Sequence, residues 1–558
     1  MRSFPDFFRR VALGSLLCAQ LGCGETSRDQ DAPGSGGATP AMARGGASAS
    51  HAAAGASSNG GGGGGGAAGA AAAGDRAVDR VDIGDCRFED PNVELLARYQ
   101  ILQADEADGA VDGSAGPRDV RRLDVTQEIG ALGGIECLVN LEELSLSVYG
   151  PDAPPVGLAA LAGLSKLRKL SLAGPFVLDG LFGGLALEQL QLRNLPLANL
   201  REVGKEAGLR DLWLVQVPLT SLAGIEALSA LSVLRVEKAR LSNLTPLERL
   251  SGLEKLELQD LPALTSLAGL EPHTGLRNLF TSEVPLSSLV PLAAAEQLES
   301  LNVGTSRLLG LQGLENKPAL RNVTVTDASL TELSPLTDSP RLSYVSLARN
   351  RIEDLTPLAS CPALSHLDVS QNAIASLAPV ADMASLQTLQ ASRNALMTID
   401  AQLPASLKVL SLAGNSLSSL EPLRAHTLEN LDISGNPLTS LEPLFDLPSL
   451  RGLYADDVGA GSLEEFPLAR LDGLSAKNNQ ITSVAPLSGL GELSVDLTGN
   501  AVAHLPVEFV GPAATCGGLV LLDNPLDAAA QARLTWLCAN AGGSYQWDGG
   551  ACDKCPIT

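Results

Sequence analysis

Aromatic side chains are scarce in this chain: three Trp, five Tyr and ten Phe among 558 residues. Any core of this size must be built from aliphatic side chains, and an aromatic on a surface stands out. Histidine is scarcer still. His51, His273, His366, His426 and His504 are the full set, and none makes a His-x-x-x-His spacing suited to a metal. No Gly-x-Ser-x-Gly, phosphate loop or dinucleotide fingerprint stands in a strand–turn–helix context. Asp105-Glu-Ala-Asp108-Gly-Ala-Val-Asp112 is acidic but lacks the spacing of a calcium loop and reads as solvated. Nothing here points to an enzyme, a cofactor or a bound metal. Positive charge is also short. With 39 Lys and Arg against 63 Asp and Glu, the formal charge is −24, which argues against nucleic acid and anionic headgroups as partners. Past the first 22 residues no run of 18 uninterrupted apolar residues occurs, the length a spanning helix needs.

What the chain has instead is a phrase, Leu-x-x-Leu-x-Leu-x-x-Asn, that recurs mostly at a step of 21 or 22 residues, with one double step over Val458 and a last step of 24. Asn350, Asn372, Asn394, Asn415, Asn436, Asn479, Asn500 and Asn524 each close one. Examples are Leu364-Ser-His-Leu367-Asp-Val369-Ser-Gln-Asn372 and Leu428-Glu-Asn-Leu431-Asp-Ile433-Ser-Gly-Asn436. Upstream the leucines persist without the Asn, as in Leu253-Glu-Lys-Leu256-Glu-Leu258 and Leu141-Glu-Glu-Leu144-Ser-Leu146. We count about 19 units over 120–524. A fixed period of this length marks a solenoid, whose units bury their apolar faces only against each other. Leu-x-Leu alternation is the period of a strand with one buried face. Stacked strands at roughly 4.8 Å would make a parallel sheet about 90 Å around its arc. The Asn, turned inward after the strand, is placed to satisfy backbone groups where the chain bends.

The second half of the unit reads Ile/Leu-x-x-Leu-x-Pro-Leu, as in Leu417…Leu420-Glu-Pro422-Leu423. Proline forbids further strand pairing and fixes a turn. Too few residues remain for a long helix, so the return path should be extended or short 3₁₀ structure. The whole unit resembles the leucine-rich repeats of bacterial internalins and of phosphatase-regulating repeat proteins. That resemblance implies an α/β solenoid: a horseshoe with a parallel concave β-sheet, a 3₁₀ or extended convex side, and helical caps at both ends. It implies no single function, because this fold serves many partners.

The ends divide the chain further. Residues 1–23 carry basic Arg2, Arg9 and Arg10, a short apolar stretch, and Gln20-Leu21-Gly22-Cys23. This resembles a lipoprotein signal with Cys23 acylated, although Gln20 departs from the usual aliphatic residue; an ordinary cleaved signal is the alternative. Residues 24–80 are Gly, Ala and Ser with few large apolar groups, so a flexible tether of roughly 40 Å reach is expected. A cap spans 81–119. Asp90-Pro91 signals a helix start, and Val93, Leu96, Ala97 and Ile101 give its apolar face. A Cys-containing cap spans 525–558, with a helix expected over Ala528–Ala539. Cys86 and Cys137 flank the junction of the N-terminal cap and are candidates for a bridge. Cys516, Cys538, Cys552 and Cys555 allow three pairings, with a four-thiolate zinc site as the rival. Cys361 is left as an odd, buried thiol.

The x positions of each phrase face outward on the concave sheet. Their middle column reads Gln191, Trp213, Arg235, Glu257, Phe280, Asn302, Thr324, Ser346, Asp368, Gln390, Ser411, Asp432, Tyr454. Aromatics and Arg dominate interface hot spots. The expected partner-binding residues are therefore Lys169, Gln191, Arg193, Trp213, Arg235, Glu237, Lys255, Glu257, Phe280 and Tyr344. In the same region Leu195, Val217, Ala239, Leu261 and Val284 replace the Asn. The bland alternative is that exposed aromatics are ordinary and pack on neighbouring stems. The reading is a monomeric, exported surface lipoprotein that binds a protein or glycan without catalysis, and otherwise a periplasmic or secreted one. The alternatives are a structural envelope spacer or, if the chain is cytosolic, a phosphatase-regulator-like protein.

Overall fold

Leucines two residues apart point to one side of a strand, and this sets the whole architecture. The computed structural model describes residues 81–107, 115–126, 129–148, 155–490, 493–510, 518–540 and 543–553. The leader with Cys23, the tether 24–80, Asp108 and Asp112, Cys516 and Cys555 lie outside the described residues.

The described residues form one 21-stranded sheet. Its first strands are β1 (Arg122–Val125), β2 (Glu143–Ser147), β4 (Lys169–Ala173), β6 (Gln189–Arg193), β7 (Asp211–Val215), β8 (Val233–Glu237), β9 (Lys255–Gln259) and β10 (Asn278–Ser282). A separate two-stranded pairing joins β3 (Val156–Gly157) to β5 (Phe176–Val177). Every later strand from Ser300–Gly304 to Gly518–Val520 pairs in parallel with its predecessor. The register never slips: Trp213 faces Arg235, Arg235 faces Glu257, and Phe280 faces Glu257. A one-residue slip would turn the leucines to solvent, so burial itself enforces the alignment. Leu212, Leu234, Leu256, Leu301 and Leu367 are all buried behind the sheet.

The return path is short 3₁₀ structure, at Thr245–Arg249, Ser334–Leu336, Glu421–Leu423 and Glu442–Asp446 among others. Each of these has Pro in its first turn, where its fixed φ suits the helix and its missing N–H costs nothing.

The Asn residues bind adjacent repeats. Asn436 Nδ2 donates to the carbonyls of Leu412 and Ile433, both at 2.9 Å, and its Oδ1 accepts from the Leu417 N–H at 3.0 Å. Asn350, Asn415, Asn479, Asn500 and Asn524 are buried and similarly bonded. Asn372 and Asn394 make the same bonds but are only half-buried. The residue before the Asn is left-handed: Arg349, Gln371 and Arg393 at φ 55° to 60°, then Gly414 and Gly435 at 66° and 64°. In the first half Leu195, Val217, Leu261 and Val284 occupy the Asn position and are buried.

A second polar column, on the returning side, was not foreseen. Glu206 accepts from the Gly183 N–H at 2.5 Å, Lys317 Nζ donates to the Ala293 carbonyl at 2.5 Å, and Cys361 Sγ bonds the Leu336 carbonyl at 3.3 Å. His426 Nε2 meets the Pro404 carbonyl at 3.1 Å. Each reaches back to the preceding repeat, and Glu206, Lys317 and Cys361 are buried. His273 stands in the same column, wholly buried, and neither ring nitrogen has a hydrogen-bond partner among the described residues. Burial holds its pKa below the ordinary value, while the nearby carbonyls of Leu270, Leu247 and Leu250 pull the other way.

That depression has a direction in pH. Below 6.5 the unfolded chain protonates its histidine before the folded chain does, so acid favours unfolding. Stability from His273 is complete above the unfolded value and is lost as pH falls toward the folded one. The slope from this one group is at most about 1.4 kcal/mol per pH unit. Melting curves between neutrality and acid should fall less steeply for His273→Leu than for the parent. Parallel curves would show that the folded chain takes up a proton at His273 as readily as the unfolded chain does.

The caps are tied down by side chains. Helix α1 (Pro91–Ala107) buries Val93, Ala97 and Ile101. Asp90 accepts from the Asn92 N–H at 2.9 Å and from the Gly130 N–H at 2.7 Å, joining the cap to the first repeats. Cys86 and Cys137 are not bridged. They are neighbouring thiols, and burial, then the hydrogen bond between them, pushes Cys86 up to about 12. At the other end α2 (Ala528–Asn540) is capped by Asp527, whose Oδ1 accepts from the Ala530 N–H at 2.7 Å. The helix does not close the sheet alone. The strand Ser544–Trp547 adds in parallel to Gly518–Val520, and Gly550–Asp553 pairs antiparallel outside it. Cys538 and Cys552 form a disulfide across this cap, which removes Cys552 from the thiolate zinc reading. Among the described residues no group of three metal-ligating side chains is gathered.

Candidate functional site on the concave face

The sheet presents its x positions as three parallel rows, because every strand is in register. In the middle row Asp124, Ser145, Ser171, Gln191, Trp213, Arg235, Glu257, Phe280 and Asn302 follow one another strand by strand. The expected residues separate into groups. Lys169, Gln191, Trp213 and Arg235 line one recess of about 200 Å³ between β1 and β8. Arg122, Asp124, Glu143, Ser145, Ser171, Gln189 and Asp211 complete its polar lining. Of these, only Asp211 lies beyond Gln191 in the chain. The others precede Gln191, where the repeat spacing is uneven: 26 residues separate Glu143 from Lys169 and 20 separate Lys169 from Gln189 in register.

Charges around the recess are matched. Arg235 bonds Asp211 at 2.7 Å and Glu257 at 3.2 Å, and Lys255 reaches Glu257 at 2.6 Å. Lys169 bonds Glu143 at 2.6 Å, and Arg122 bonds Asp124 at 2.8 Å. The Arg235 guanidinium also lies against the Trp213 indole, 5.9 Å from the ring centre. Trp213 is half-buried, so Arg235 and the strand neighbours hold a rigid apolar plate at the rim. Arg193 and Glu237 sit in the outer row. Arg193 is exposed, and Glu237 pairs with Lys238 at 3.4 Å. Phe280 is half-buried two strands beyond Arg235. Tyr344 is well removed along the sheet and belongs to a different cluster, beside His366 with ring centres 6.2 Å apart.

The two halves of the face differ in what their polar groups do. In the second half the serine hydroxyls of the middle row donate to neighbouring aspartates: Ser346 to Asp368 at 3.4 Å, Ser411 to Asp432 at 3.2 Å, Ser475 to Asp456 at 2.7 Å. Burial raises the Asp456 carboxyl, although Ser475 and the Lys477 amide support its charged form. Tyr454 between Asp432 and Asp456 is pushed up to about 12, by burial first and then by the two carboxylates. The recess has a different set of neutral groups. Ser171 donates to Gln191 Oε1 at a long 3.4 Å, while the Ser145 hydroxyl and the Gln191 and Gln189 amide nitrogens have no partner among the described residues.

No family model matches the chain, and no curated protein matches it. Solved structures do. YopM from Yersinia enterocolitica is 21% identical, covering 82% of this chain and 95% of that one, with a TM-score of 0.54. A complex of TLR13 with ssRNA13 is 19% identical over 70% of this chain and 66% of that one, TM-score 0.56. An internalin (inlF) from Listeria monocytogenes is 21% identical over 68% and 96%, TM-score 0.45. The chain has the leucine-rich repeat fold. At these identities the leucine-rich repeat likeness establishes architecture, and the chemistry must be argued from the recess itself.

Proposed function

We propose that this leucine-rich repeat chain is a non-catalytic binding protein of the cell envelope, exported and anchored by a lipid on Cys23. Its concave face takes a macromolecular partner, a protein first, over the stretch from β4 to β10. The observation that carries this reading is the contrast between the halves. The second half bonds its middle-row serines to neighbouring aspartates, whereas the first gathers Trp213, Arg235 and Phe280 on one surface. An export route agrees with the Cys538–Cys552 disulfide, which persists in oxidising compartments. The TLR13 structure holds RNA, but a chain of charge −24 repels phosphate, so a nucleic acid is not the partner here.

The test is capture of surface proteins by the mature chain. Trp213→Ala should weaken capture by about 2 kcal/mol, the scale of a central aromatic anchor, with the melting temperature nearly unchanged. Ser411→Ala, in the self-satisfied half, should capture as the parent does. Loss of capture in Ser411→Ala with none in Trp213→Ala would move the site; no specific capture by either would favour a structural spacer. Anchoring is checked by labelling with a fatty-acid analogue, which Cys23→Ser should abolish.

A further inference from the structure

The recess between β1 and β8 combines a small volume, paired charges and open hydrogen-bonding groups, and these narrow its ligand. We propose that it binds one neutral hexopyranose ring, as a terminal or branch sugar of a glycosylated partner; this rests on the concave face being the binding face.

Size comes first. About 200 Å³ lies below the roughly 300–1,000 Å³ of pockets for drug-sized ligands, so a single ring fits and an oligomer enters only by one unit. Charge comes second. Arg122, Lys169 and Arg235 are each paired with Asp124, Glu143 or Asp211 at 2.6 to 2.8 Å. A charged ligand would have to displace one of these partners, and a neutral one leaves them in place. Hydrogen bonding comes third. The Ser145 hydroxyl, the Gln191 amide nitrogen and the Gln189 amide are without side-chain partners among the described residues, and they offer donors and acceptors together. A sugar hydroxyl is likewise both donor and acceptor, and the paired carboxylates keep lone pairs to receive its proton. Shape comes last. Trp213 is the one aromatic in the lining, a flat apolar plate against which the C–H face of a pyranose can lie. An extended peptide is poorly served: the floor is interior parallel sheet whose backbone groups are already paired, so no strand can be added there.

The experiment is calorimetric titration of the mature chain with methyl glycosides of glucose, galactose, mannose and N-acetylglucosamine, with the glucuronic acid glycoside as the charged comparator. At least one neutral glycoside should bind saturably with a dissociation constant of roughly 1 mM or below, the affinity of a small, few-contact ligand. Binding should survive about 1 M NaCl, where the screening length is ~3 Å. Gln191→Leu, which keeps the volume and removes the amide, should weaken binding about fivefold, the worth of one net hydrogen bond. Trp213→Ala should weaken it at least as much. Should Trp213→Ala alter the melting temperature, Gln191→Leu decides. No binding by any neutral glycoside, tighter and salt-sensitive binding of the glucuronide, or unchanged binding in Gln191→Leu overturns the proposal. The titration contains no macromolecular partner, so its failure leaves the capture experiment to stand or fall separately.

Discussion

Asn436→Ala is expected to lower the unfolding free energy by about 3 kcal/mol, because its side chain serves two repeats at once. Asn436 is 2% exposed, and its amide closes four hydrogen bonds, to the Leu412, Ile433 and Ser434 carbonyls and from the Leu417 N–H. Alanine leaves the Leu412 and Ile433 carbonyls and the Leu417 N–H facing an apolar interior. Each such orphan costs about 1–3 kcal/mol, and water entering the turn recovers part of the sum. Since each repeat touches only its neighbours, the loss should appear as local opening around Leu412–Leu438 before it appears globally. Denaturant titration with hydrogen exchange measures both. Asn302→Ala is the control, since Asn302 lies on the outer face with no side-chain hydrogen bond among the described residues. Equal shifts for the two variants would show that the Asn ladder is not structural.

The second large effect lies at the C-terminal cap. Replacing Cys538 and Cys552 together by Ser should cost about 3 kcal/mol, the chain-entropy value for a closed loop of about 15 residues. The bridge spans 14 positions and pins the hairpin against α2. The hairpin in turn covers the last repeat strand with Tyr545, which is 1% exposed, and Trp547. Amide exchange at Gly518–Val520 and Ser544–Trp547 should quicken in the double variant, and a reductant should do the same to the parent. Unchanged exchange in both cases would mean that packing alone holds the cap.

The repeat was legible because one side-chain requirement is written many times. Leu-x-Leu announced a strand, the Asn announced a buried bend, and the proline announced a short return, and all three are local consequences of geometry. The second polar column was illegible for the opposite reason. Glu206, His273, Lys317 and Cys361 share a position but not a chemistry, so no pattern marks them. Only the stacking shows that their polar atoms face the returning segment of the repeat before.

The concave face was half legible. Alternation placed Gln191, Trp213 and Arg235 in one outward row, and the strand register bears this out. Tyr344 was grouped with them and stands elsewhere, and Ser145 and Ser171 were passed over although they floor the recess. Their type is common in any loop, and the uneven spacing before Gln191 hid the row they continue. Sequence alone thus determined the solenoid, its period and which side chains face out, because these follow from residue-to-residue periodicity. Tertiary structure alone decided which charges cancel, which hydroxyls are already bonded, and that Cys86 stays apart from Cys137 while Cys538 joins Cys552. Those outcomes depend on distances between strands some twenty residues apart, set by how each repeat is rotated onto the next.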